Sequence, residues 1–106
     1  MPMLAQGRIA AANTPQMAWV APPGSAPNFS INLCNIGDAI VYVSVAYQQE
    51  GAATAINMEN KFPLDPAGTK GNTLERTNVL LSAGMQVWIT CSEANAVDWQ
   101  IYGYEA

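Results

Sequence analysis

The chain has 106 residues, half of them hydrophobic, with 4 Lys+Arg, 8 Asp+Glu, no histidine and a formal net charge of −4. That length accommodates one domain, and the missing histidine excludes the Ser-His and Cys-His mechanisms and the commonest metal ligand. Four cations on an acidic chain give no electrostatic footprint for nucleic acid or for an anionic membrane.

No apolar run approaches the ~20 residues of a membrane span. The start, Met1-Pro2-Met3-Leu4-Ala5-Gln6-Gly7-Arg8, lacks the basic and then apolar regions of a signal peptide, so a soluble protein made in the cytoplasm is expected. Residues 1–27 read as an N-terminal arm with one short strand, and residues 28–106 as a β-sandwich domain. Leu4 to Ala12 is alanine-rich and suits either a helical turn or an extended arm. It can pack on a neighbouring molecule or tuck into its own sheet as an N-terminal strand. Met17-Ala18-Trp19-Val20 is a short strand between the breakers Asn13-Thr14-Pro15 and Ala21-Pro22-Pro23-Gly24-Ser25-Ala26-Pro27.

Phe29, Ile31 and Leu33 alternate with Ser30 and Asn32, the period of a strand with one buried face. Asn35-Ile36-Gly37-Asp38 is a turn, and Ile40 to Tyr47 is dense in β-branched and aromatic residues, with Val41, Val43, Val45 and Tyr47 on one face. The two strands are expected to form an antiparallel hairpin. Ala55 to Glu59 with Phe62 suits a further strand, Pro63 to Asn72 a long loop, and Thr73 to Leu81 another strand. Ser82-Ala83-Gly84 is a tight turn. Met85 to Cys91 and Val97 to Tyr104, joined through Ser92-Glu93-Ala94-Asn95, make a second expected hairpin. About seven short strands and no helical period predict an all-β, small antiparallel sandwich or barrel-like module.

Little in this pattern points to chemistry. Cys34 and Cys91 form no C-x-x-C pair. Both are expected as buried thiols, with a disulfide as the alternative, and no metal, cofactor or catalytic site is expected. Glu93 with Asp98, or Glu59 with Asp65, would have to converge in a cleft to act as a hydrolytic carboxylate pair. Gly68-Thr69-Lys70-Gly71 lacks the spacing and context of a phosphate loop.

The side chains that draw attention are suited to contact with other protein. Trp88, Tyr42, Tyr102 and Tyr104 fall on the faces opposite the expected core, where they can anchor a partner or stack a sugar. Glu75 and Arg76 are adjacent in a strand and must point to opposite faces, so one of them needs a partner inside or at an interface, unless both lie on an edge strand in water. With Leu4, Ile9, Met17 and Trp19 of the arm, these residues make up the candidate interface.

Leu4-Ala5-Gln6 ahead of the first strand and three further stretches carry a resemblance. Asn32-Leu33-Cys34-Asn35-Ile36-Gly37 before a valine-rich strand, Leu74-Glu75-Arg76-Thr77 followed by Leu81-Ser82-Ala83-Gly84, and the closing Tyr102-Gly103-Tyr104-Glu105 together resemble small virion structural proteins of tailed bacteriophages. The proline-rich stretch from Lys61 to Asn72 departs from that pattern. The resemblance implies a non-enzymatic β-sandwich module, usually oligomeric, located in the virion; for this chain a homotrimer is the favoured form. The expectation is a capsid decoration (cement) protein whose partners are the major capsid protein and further copies of itself. A tail, neck or baseplate fibre module is the alternative, with Trp88, Tyr102 and Tyr104 as a sugar-stacking platform. If the arm makes the contacts, deleting residues 1–15 should leave a folded domain that no longer binds capsids.

Overall fold

A computed structural model describes residues 3–22, 24, 27–80 and 83–104. The side chains of Asn78, Leu80 and Tyr104 lie outside the described set, as do Leu81, Ser82 and Glu105 of the motifs above. Among the described residues there is no helix, and eight strands run in order: β1 (Met3–Arg8), β2 (Gln16–Val20), β3 (Asn28–Asn35), β4 (Val41–Gln48), β5 (Ile56–Leu64), β6 (Thr73–Leu80), β7 (Gln86–Cys91) and β8 (Val97–Tyr104). They form two four-stranded antiparallel sheets, β1-β8-β3-β6 and β2-β7-β4-β5. Two interleaved Greek keys with this strand order are the jelly-roll sandwich.

The alternation read from the sequence sets which side chains meet between the sheets. Phe29, Ile31 and Leu33 of β3 and Val97, Trp99 and Ile101 of β8 face Val41, Val43 and Val45 of β4 and Val87, Ile89 and Cys91 of β7, and all are buried. Trp19, Phe29 and Tyr47 pack edge to face along one end of this core, with ring centroids 5.6 and 6.5 Å apart.

The expected pairing of these strands is overturned. β3 and β4 do not form a hairpin, and neither do β7 and β8. Instead β3 pairs with β8 and β4 with β7, across residues 36–40 and 92–96, which pass from one sheet to the other. The connections carry hydrogen bonds that hold this exchange. Ser92 N donates to Tyr42 O (2.9 Å) and Tyr42 N to Ser92 Oγ (2.9 Å), prolonging the β4–β7 ladder past Cys91. Ile36 N donates to Ala96 O (2.8 Å), prolonging β3–β8.

The N-terminal segment takes the second of its two expected placements. β1 is hydrogen-bonded along β8 and β2 along β7, so residues 3–20 belong to the sandwich rather than projecting from it. Ile9, just past β1, is fully buried and bonds through N and O to Val97 O (3.0 Å) and Asn95 N (2.8 Å). Deleting residues 1–15 would therefore strip an edge strand and a core side chain, so it cannot test binding apart from folding.

Both cysteines are free. Cys91 is buried, and burial raises its thiol pKa. Cys34 falls in the polar phase of β3 and stands part-exposed on the outer face, which corrects the expectation of two buried thiols.

Two positions give direct tests of the packing. Gly103 sits at φ +154°, and a β-carbon there would strike the carbonyl oxygen of Asn28 and stand 2.6 Å from Phe29 Cα. Gly103→Ala should cost about 3 kcal/mol in urea unfolding, and an unchanged midpoint would show that β3 and β8 can separate freely. The Tyr47 hydroxyl is buried without a hydrogen-bond partner among the described residues, and desolvation pushes its pKa from 10.0 up to about 12. Because the folded state favours the neutral phenol, this contribution is complete below pH 10 and is lost as pH rises through about 12. Tyr47→Phe should leave neutral-pH stability unchanged or higher and flatten that alkaline decline. A Tyr47→Phe variant that loses stability above pH 10 as steeply as the parent would place the alkaline titration elsewhere.

Candidate functional site

The ten residues singled out from the sequence do not form one surface. Leu4 and Trp19 are part-buried against the core and Ile9 is within it, so these three hold the fold together. Met17 (48% exposed), Tyr42 (50%) and Trp88 project from the outer face of the β2-β7-β4-β5 sheet. Tyr102 and Glu75 project from the outer face of the other sheet, where the Tyr102 hydroxyl donates to the Glu75 carboxylate across β3. That hydrogen bond is the main cause of a raised Tyr102 pKa. The Tyr104 side chain lies outside the described set. Trp88 and Tyr102 therefore stand on opposite sides of the sandwich, and no shared sugar platform of the expected kind exists.

Glu75 and Arg76 behave as strand geometry requires. Glu75 points out, while Arg76 points inward and pairs with Glu59 of β5. β6 and β5 are edge strands of the two different sheets, so this ion pair bridges the sandwich along one open side. The proposed carboxylate pairs are not assembled. Asp98 is held by Arg8 Nε and Nη2 at 2.6 and 3.2 Å, Glu59 by Arg76, and Glu93 and Asp65 are exposed in loops. No cluster of three metal-ligating side chains occurs among the described residues.

A sandwich of this kind has two open sides, and they differ. On one, β5 carries Pro63, which has no N–H to offer, and Lys61 at φ +53°, which breaks the regular edge; the Glu59–Arg76 bridge lies between β5 and β6. Proline, lysine and irregular backbone are the devices by which edge strands avoid adding further strands. On the other side, β1 and β2 each carry one bulge but neither proline nor lysine, and their single charge, Arg8, is neutralised by Asp98. This side is flanked by Met3 (49% exposed), Met17 and Val20 (40%). Met17 was legible as part of a short apolar strand. Val20 was legible in the same strand, and Met3 was not, because a single apolar residue at a strand end carries no periodic signal.

The outer faces differ as well. Across the β1-β8-β3-β6 sheet, Gln6, Gln100, Asn32 and Glu75 stand in one transverse row, a polar ladder. The corresponding row on the other sheet is Met17, Trp88, Ala46 and Asn57. No charged side chain occurs in that row, and Lys61 stands at the sheet's margin, lining a hollow with Tyr42 and Ser44. No protein-family model matches this chain, and no curated protein sequence matches it.

Proposed function

We propose that this protein is a structural module of a bacteriophage virion, a capsid decoration protein that seats its β1/β2 side against capsid subunits and neighbouring copies. The observation that carries this reading is the asymmetry of the open sides. One carries proline, lysine and an ion pair against further strand pairing, while the other presents two edges without proline or lysine, flanked by three exposed apolar side chains and a neutralised charge. The resemblance of the Asn32–Gly37, Leu74–Gly84 and Tyr102–Glu105 stretches to small phage virion proteins points the same way. So does the jelly-roll architecture, one that viral capsid domains use among others.

Mechanistically, such a module stabilises a shell by binding the assembled lattice and not the free subunit, so occupancy shifts assembly by mass action. Several contacts of modest strength, repeated over a lattice, add through effective concentration. The test is quantitative mass spectrometry with immunogold labelling of intact particles. Hundreds of copies distributed over the head are expected; a few copies confined to the tail would replace this reading with a fibre or baseplate role.

A further inference from the structure

The row Met17–Trp88–Ala46–Asn57 sets one very small side chain, Ala46, between the large Trp88 and the polar Asn57. Ala46 of β4 is buried at the floor of a hollow lined by Trp88 and Thr90 of β7, Gln48 further along β4, Ala55 and Asn57 on the β5 side, and Pro15 just before β2. Trp88 on β7 and Asn57 on β5 are separated by the width of β4, two strand spacings or roughly 10 Å between backbones, room for a flat ring lying on the alanine methyl.

The walls are held in place. Trp88 Nε1 donates to Gln86 Oε1 at 3.0 Å, which orients the indole and satisfies its only donor. Gln48 Nε2 donates to Ala52 O at 2.7 Å, leaving its carbonyl oxygen open. Asn57 is exposed and its amide makes no hydrogen bond to the described residues. The hollow thus offers an aromatic plate, an amide with both donor and acceptor, a second amide oxygen and a threonine hydroxyl, with no charge among its lining residues.

We propose that this hollow binds a neutral saccharide unit. A sugar ring combines an apolar C–H face, which fits the indole, with a rim of hydroxyls that both donate and accept, which fits Asn57, Gln48 and Thr90. A purely apolar ligand would leave the two amides desolvated and unpaired. An anionic ligand would meet no cation in the lining and a net charge of −4. An extended peptide would find the flat of a sheet here, with the backbone groups already paired. Preorganisation of the indole lowers the cost of capture. The site does not depend on the virion reading.

The experiment is saturation-transfer NMR and tryptophan fluorescence on the purified protein, titrated to millimolar with lactose, maltotriose, cellotriose, chitotriose and, as the charged control, sialyllactose. At least one neutral sugar should saturate. Trp88→Ala should weaken it by about tenfold or more, within the range of an aromatic stacking contact. Asn57→Ala, at an exposed position that leaves the fold intact, should weaken it severalfold, and Tyr102→Ala on the opposite sheet should leave it unchanged. Absence of binding across the neutral sugars, survival of binding in both the Trp88 and Asn57 variants, or preference for sialyllactose would each overturn the proposal. These readouts use the isolated chain, so they fail or succeed separately from capsid occupancy.

Discussion

Asn35→Ala should lose about 3–5 kcal/mol of folding stability in urea titration, a large part of the 5–15 kcal/mol typical of a domain. Asn35 is fully buried at the end of β3. The two hydrogens of its Nδ2 are shared among the carbonyls of Ala39 (2.8 Å), Leu64 (3.2 Å) and Asp65 (2.9 Å), and its Oδ1 accepts from Gly37 N (2.9 Å). Its own N–H donates to Asn72 O at 2.8 Å, and Gly37 O accepts from Ala67 N at 2.9 Å. The side chain thereby ties the β3–β4 connection to the start of the β5–β6 loop, while the Asn35 backbone N–H holds the end of that loop at Asn72. Alanine would leave four backbone groups without that partner, each costing about 1–3 kcal/mol where water cannot replace it. Asn35→Asp tests the same point from the donor side, because a carboxylate keeps the acceptor but sets negative charge against three carbonyl oxygens. It should be at least as damaging as alanine. A loss below about 1 kcal/mol for Asn35→Ala would mean that the loops close without it.

This residue also shows where sequence reading reaches its limit. Asn35-Ile36-Gly37-Asp38 was legible as a turn, and β3 and β4 were legible as strands with the correct faces inward, because a period of two fixes the phase of every side chain. Partner choice was not legible. Alternation says which face is buried but not which sheet the strand joins, and a turn signature suits a hairpin and an inter-sheet crossing alike. Hydrogen bonds from Asn35, Ile36 and Ser92 decide the crossing, and they reach residues up to 60 positions away, as in Ile36 to Ala96. The same limit explains the arm. Ile9 is an isolated apolar residue among alanines, and only the topology brings Val97 and Asn95 around it. At the candidate sites, Trp88 and Tyr42 were found because large aromatics in the polar phase stand out. Ala46 and Asn57 were not, because a hollow is made by a small residue lying between particular neighbours on other strands.

Met3→Lys/Met17→Lys/Val20→Lys should reduce occupancy on capsids by about 100-fold or more while leaving the fold intact. All three side chains are 40–49% exposed, and surface substitutions of this kind usually change stability by less than about 0.5 kcal/mol. Burying even one unpaired ammonium in a docked interface costs about 2–5 kcal/mol, and lysine is the residue with which natural edge strands repel further pairing. The triple variant thus gives the β1/β2 side the kind of protection that Lys61 and Pro63 give β5. Ile56→Lys is the informative control. Ile56 is 72% exposed, more than any other large apolar side chain among the described residues, so a docking surface chosen by exposure alone would be centred there. It lies on the guarded side, and its charge should leave occupancy unchanged. Sedimentation of purified capsids with each variant, with thermal melts of the free proteins alongside, separates the two cases. Normal occupancy by the triple variant, or loss of occupancy in Ile56→Lys, would move the docking surface to the opposite side of the sandwich or away from its edges altogether.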